Sequence, residues 1–128
     1  MMKVFLVEDN ADTRYLLTHL LSDAGYAVQS ASTVQEALRE FPSSGSDVLV
    51  SDVGLPDGSG RDLVRGLRAA GEHPYAIAMS GYGTTSDIRA SLEAGFRHHL
   101  VKPVEVEVLE RLLESAQAEG EAASGGGH

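Results

Sequence analysis

Five side chains suited to phosphoryl chemistry around a hard cation each sit just after a short apolar run: Glu8 and Asp9, Asp52, Ser80 and Lys102. The runs are Lys3 to Val7, Val48 to Ser51, Tyr75 to Met79 and His98 to Val101. Three carboxylates brought together repel, and desolvation at a strand end raises that cost. A bound cation removes the conflict. Every ligand on offer is an oxygen, which points to an ion such as Mg²⁺ and away from zinc. Mg²⁺ uses one or two carboxylates and keeps waters that a phosphate can displace. Lys102 would then neutralise charge on a transferred group and Ser80 would donate a hydrogen bond to one of its oxygens. Asp52 is the natural nucleophile, because an aspartyl carboxylate can take a phosphoryl group covalently.

These residues converge only if the chain folds so that the runs end at one edge. The four runs and a fifth, Ala27 to Ala31, alternate with stretches of helical spacing, the pattern of a parallel α/β sheet. Leu16, Leu17, Leu20, Leu21 and Ala24 recur at three and four, so about Ala11 to Ala24 should bury one helical stripe, stopped by Gly25. Ser32 with Gln35 opens a second helix to about Phe41 in capping-box spacing. Ser59 with Asp62 opens a third that Gly71 ends, and Thr84 with Asp87 a fourth that Gly95 ends. A fifth follows Pro103 with Val108, Leu112 and Leu113 on one side. Five such units fit a doubly wound, flavodoxin-like sheet of order 2-1-3-4-5 with helices on both faces. Right-handed connections then send every strand's carboxyl end to the same edge.

The chain has 128 residues, enough for one domain. Nineteen acidic against 10 basic residues give a formal charge of −9, with the basic ones scattered, which argues against direct nucleic-acid binding. There is no cysteine, and the apolar run Val4 to Val7 is far too short for a signal core or a membrane span. These features lead to an expected cytoplasmic location with no membrane partner. Residues 1–117 read as the domain and 118–128 as a flexible tail, linker remnant or expression scar.

Four segments, Val7-Glu8-Asp9-Asn10, Val50 through Gly60, Met79-Ser80-Gly81-Tyr82 and Leu100-Val101-Lys102-Pro103, together resemble the response-regulator receiver family over roughly residues 3 to 117. The resemblance implies a two-component phosphorelay in which Asp52 is the phosphoacceptor and a histidine kinase or phosphotransfer protein is the donor. It implies that Asp9, Asp52 and the backbone carbonyl of Gly54 ligate Mg²⁺ directly, with Glu8 acting through a water. It also implies that Ser80 and Lys102 contact the phosphoryl oxygens, and that the Lys102-Pro103 bond is cis, as an X-Pro bond can be. A domain of this kind catalyses its own phosphotransfer and dephosphorylation and is not otherwise an enzyme. The phrasing around Glu8 and His98 is similar to receivers of hybrid histidine kinases.

One position departs from the family pattern. Three residues before the lysine the family usually has Tyr or Phe, and here the residue is His99. Imidazole gains less from burial than a phenyl ring and needs a hydrogen-bond partner for each nitrogen. His99 is therefore either a switch with Ser80, sensitive to pH in the neutral range, or an outward-facing docking residue. Arg14, Tyr15 and Thr18, off the leucine stripe of the first helix, are the expected docking side for the phosphodonor.

Simpler readings exist for each part. Acids suit a helix start, Asp52 before Leu55-Pro56-Asp57-Gly58 suits a turn, and a lone Lys102 is ordinarily solvated. Convergence of four strand ends is what outweighs them. Adjacent His98 and His99 point to opposite faces of a strand and cannot easily chelate one ion. A haloacid-dehalogenase-like phosphatase would need a second acid where Gly54 stands, plus a cap domain. An FMN-binding flavodoxin would need glycines and hydroxyls where Glu8 and Asp9 stand. A pseudo-receiver, docking without phosphorylation, remains the alternative.

Overall fold

The computed structural model describes residues 2–126, with side chains through residue 120. Its main sheet consists of β1 (Lys3–Val7), β2 (Ala27–Ala31), β3 (Val48–Asp52), β4 (Tyr75–Ser80) and β5 (His98–Val101), all parallel, in the order β2-β1-β3-β4-β5. The expected doubly wound fold is the one observed. Both Asp52 and Ser80 belong to their strands as last residues, one position later than the periodicity suggests. A two-residue ladder, Gly54–Leu55 against Gly58–Ser59, adds a small hairpin after β3 that the sequence reading leaves as a turn.

Helices α1 (Ala11–Asp23), α2 (Val34–Ser44), α3 (Gly60–Ala69), α4 (Thr85–Ala94) and α5 (Val106–Gly126) connect the strands. Strand alternation divides the core in two. Phe5, Val7, Leu49, Ala76 and Ala78 face one side and pack with Phe41 of α2 and Leu63 and Leu67 of α3. Val4, Leu6, Val50, Ile77 and Met79 face the other and pack with Leu17 and Leu21 of α1 and Leu109 and Leu113 of α5. Because β1, β3 and β4 are covered on both faces, their unbroken apolar composition is required.

The helix ends differ from local expectation where a distant group intervenes. The N-cap of α2 is Thr33, whose Oγ1 accepts from Glu36 N, while Ser32 donates its hydroxyl to the Glu36 carboxylate. The N–H groups of Val34 and Gln35 donate to Asp57, 2.8 and 2.9 Å away in the loop after β3. A capping box on Ser32 and Gln35 is therefore not needed. Ser59 caps α3 through Arg61 N, and Asp62 pairs with Arg65 instead of reaching back. Thr84 and Asp87 do form the expected reciprocal box on α4. In α1 only Leu17 and Leu21 of the leucine stripe are buried, and Leu16 is exposed. In α5 the buried line is Leu109, Leu113 and Ala116. That helix runs on to Gly126, into the segment read as a tail, whose last two residues lie outside the described residues, and Glu119 makes a bidentate pair with Arg97 at 2.6 and 2.8 Å. Among the described residues, no helix is long and apolar enough to cross a membrane.

Candidate functional site

The carboxyl ends of β1, β3, β4 and β5 meet at one edge, and there the fold assembles Glu8, Asp9, Asp52, Ser80 and Lys102. Register brings them level: Val7 lies beside Ser51, Asp52 beside Met79, and Ser80 beside Val101. A cavity of about 230 Å³ opens among Asp9, Asp52, Gly54, Ser80, Tyr82 and Lys102. The Lys102-Pro103 bond is cis.

Glu8 is fully buried and Asp52 is 3 % exposed, so both carboxylates have lost nearly all contact with water. Asp9 stays exposed. Lys102 Nζ lies 2.9 Å from Glu8 Oε1 and 2.6 Å from Asp52 Oδ1, bridging residues 94 positions apart in one case. Glu8 Oε2 also accepts from Asn10 N at 3.1 Å. One ammonium cannot neutralise two buried carboxylates, and the pair resolves the conflict with a proton. Burial pushes Asp52 up, helped by its hydrogen bond to Glu8 and by the Glu8 charge, against the opposing pull of Lys102, to about 8. Burial also opposes ionisation of Glu8, but hydrogen bonds from Asp52, Lys102 and Asn10 outweigh it and hold Glu8 at about 2. Burial lowers Lys102, but the two acid partners raise it further and keep it charged.

The backbone at this edge is built around close approach. Gly60 N donates to Val53 O at 2.8 Å, and a Cβ at Gly60 would overlap the Asp52 carbonyl. A glycine at the first position of α3 is what lets that helix start against the end of β3. Asn10 caps α1 by accepting from Thr13 N, so helix capping at this edge falls to Asn10, leaving Glu8 and Asp9 free for other work.

Glu8, Asp9 and Asp52 can each offer an oxygen with all three atoms within 4.8 Å of one another. The donor set is all oxygen, two carboxylates are dry, and one faces water, which fits a hard divalent ion that retains part of its hydration. Gly54 lines the same cavity.

A family model for the response regulator receiver domain matches residues 4–114. The chain belongs to that family. The receiver is 39% identical over 119 residues to an uncharacterised 14.6 kDa protein of Leptolyngbya boryana, covering 88% of each. It is 36% identical over 112 residues to the two-component response regulator PhoP of Pseudomonas aeruginosa, covering 88% of this chain and 50% of PhoP. It therefore spans about half the length of that relative. Among solved structures, the chemotaxis response regulator CheY4 of Vibrio cholerae superposes with a TM-score of 0.84 at 29% identity, over 91% of this chain and 98% of that one. The receiver's fold and its place in two-component signalling thus rest on both sequence and shape.

Some residues sit differently from expectation. Arg14 is tied by Nη1 to the Glu8 carbonyl at 2.7 Å, and Thr18 Oγ1 is buried, so neither presents a free docking side chain. Tyr15 is exposed, as expected of that side, and so is Leu16, which with Thr13, Leu20, Pro103, Val104 and Val106 lines a groove of about 500 Å³ that reaches Lys102. His98 and His99 do point apart: His98 Nε2 meets Tyr75 Oη at 2.8 Å, while His99 meets Ser91 and Tyr82. Sequence reasoning missed the Glu8–Lys102 contact and Asp57, whose partners lie far along the chain.

Proposed function

We propose that this receiver accepts a phosphoryl group on Asp52 in a Mg²⁺-dependent reaction, from a phosphohistidine on a kinase or phosphotransfer protein, in the cytoplasm. The observation that carries this reading is that Asp52 lines the cavity with Lys102 Nζ 2.6 Å from its Oδ1. Asp52 first releases its proton to solvent; an oxygen of its carboxylate then forms the bond to phosphorus, the bond from phosphorus to the donor nitrogen breaks, and the donor imidazole leaves with the electron pair and takes up a proton from solvent as needed. The product is an acyl phosphate. Asp9, Asp52 and the Gly54 carbonyl would hold the ion, with Glu8 acting through a water. The ion supplies charge neutralisation for the incoming phosphoryl oxygens.

Lys102 holds the two buried carboxylates together in the resting chain and is positioned to turn to a phosphoryl oxygen once Asp52 is esterified. Ser80, whose Oγ accepts from Tyr82 N at 3.0 Å, retains its own proton to donate to another such oxygen. The donor's helix seats in the groove between α1 and the loop after β5, because that groove opens beside Lys102. The test is intact-mass measurement after incubation with acetyl phosphate. An adduct of one phosphoryl group that requires Mg²⁺ is expected. No adduct with ion and donor in excess would favour a docking module that works without phosphorylation.

A further inference from the structure

His99 is held at both ends. Its Nε2 lies 2.7 Å from the carbonyl of Tyr82, and its Nδ1 lies 2.8 Å from Ser91 Oγ. A carbonyl oxygen can only accept, so Nε2 must carry the proton, and in the neutral ring Nδ1 must then accept from the Ser91 hydroxyl. Ser91 is fully buried in α4 and its hydroxyl finds its partner in this ring. The Tyr82 carbonyl therefore sets the tautomer, and Ser91, by donating to Nδ1, holds the ring from behind.

Tyr82 is gripped on both sides of its peptide. Its N–H donates to Ser80 Oγ at 3.0 Å, and its carbonyl accepts from His99. The result is one unbroken line, Ser91 to His99 to Tyr82 to Ser80, from α4 to the wall of the cavity above Asp52. A second observation fixes the same loop on β5: a Cβ at Gly83 would come within 2.5 Å of Val101 Cγ2, so only glycine lets the chain lie that close. Both ring nitrogens are already satisfied before any phosphoryl group arrives.

We propose that Ser91 is a positioning residue which, by holding Nδ1 of the His99 ring while Nε2 grips the Tyr82 carbonyl, clamps the loop between β4 and α4 and preorganises Ser80 for the phosphoryl group. In this receiver His99 then acts as a fixed link and not as a ring that swings between two positions. Preorganisation counts because a ligand's apparent affinity scales with the fraction of protein already in the competent arrangement. The inference rests on the reading of Asp52 as the phosphoacceptor, but its first readout does not.

That readout is ¹⁵N NMR of the His99 ring in the resting protein at pH 8.5. The wild type should show a protonated Nε2 and an unprotonated Nδ1. Ser91→Ala should shift the Nδ1 resonance, as its hydrogen-bond donor is lost, and speed hydrogen exchange at the Tyr82 amide. The second readout is affinity for beryllofluoride with Mg²⁺. It should weaken roughly two- to tenfold in Ser91→Ala, the equivalent of one ordinary hydrogen bond. Ser91→Thr, which keeps the hydroxyl, should restore it, and His99→Phe, which keeps a ring without nitrogens, should not. An Nδ1-protonated ring in the wild type, or Ser91→Ala with an unchanged ring and unchanged affinity, overturns the clamp. A wild type with the expected tautomer that fails to bind beryllofluoride overturns the phosphoacceptor reading, and with it the preorganising role, while leaving the hydrogen-bonded line intact.

Discussion

Glu8 and Asp52 are the carboxylates that lose their water on folding, and Lys102 is the cation that makes this tolerable. Removing one member of such a group is expected to have opposite effects depending on which one goes. Asp52 titrates near 8 in the folded chain and near 3.9 when unfolded. Between those values the folded chain holds a proton that the unfolded chain has released. Stability from this residue is therefore full below about pH 4, falls as pH rises through the window, and levels off above 8. Glu8, held at about 2, works the other way: its contribution is present above its ordinary value and is lost on acidification below it. Asp52→Asn cannot ionise and leaves the Glu8–Lys102 pair in place. It should flatten the loss of stability between pH 5 and 8 and raise the melting temperature at pH 8 by at least about 3 °C. Thermal melts without metal check this, and an unchanged slope in the variant would count against the buried pair. Asp9 is exposed, so water already screens it and its removal relieves less repulsion than removal of Asp52. The acid residues were legible in the sequence as strand-end carboxylates, but which of them the fold would bury was not.

At the scale of elements, the site depends on how closely α3 starts against β3. Gly60→Ala places a methyl against the Asp52 carbonyl, which is backbone and cannot step aside. The expected cost is about 1–3 kcal/mol or more, read as a lower denaturant midpoint, together with weaker Mg²⁺ binding because the end of β3 must move. Full stability in that variant would show that the contact is not tight. Most of the strands and helices were legible because their periodicity is local: β1, β2 and β5 fall where the apolar runs lie, and the Thr84–Asp87 box forms as its spacing suggests. The start of α2 was not, because its Val34 and Gln35 amides are covered by Asp57, 23 and 22 positions away. No reading of Ser32 through Gln35 contains that carboxylate. The partial burial of α1 has a similar cause. Helical spacing puts Leu16 on the edge of the stripe, and only the placement of the loop after β5 decides that a groove remains there.

For the whole molecule, the cavity and the α1 groove share Lys102 in their linings, and on the proposed reading a helical donor seated in the groove would deliver its phosphoryl group over Lys102. Leu16→Glu should slow transfer from a phosphohistidine protein about tenfold or more while leaving phosphorylation by acetyl phosphate unchanged, since the small donor needs no groove. Equal slowing with both donors would place the defect in the chemistry. The order 2-1-3-4-5 was legible because five β-α units of this length have few right-handed arrangements; the His99 line was not, because its ends, Ser91 and Tyr82, come from elements that meet only in the fold. The central claim is that Asp52 carries the acyl phosphate. It is tested most directly by treating the protein with acetyl phosphate and Mg²⁺, reducing with borohydride, which converts an aspartyl phosphate to homoserine, and locating the homoserine by peptide mass spectrometry. Homoserine at position 52, lost when Mg²⁺ is chelated and in Asp52→Ala, is the predicted result; homoserine at Asp9 or elsewhere, or an adduct that persists in Asp52→Ala, would contradict it.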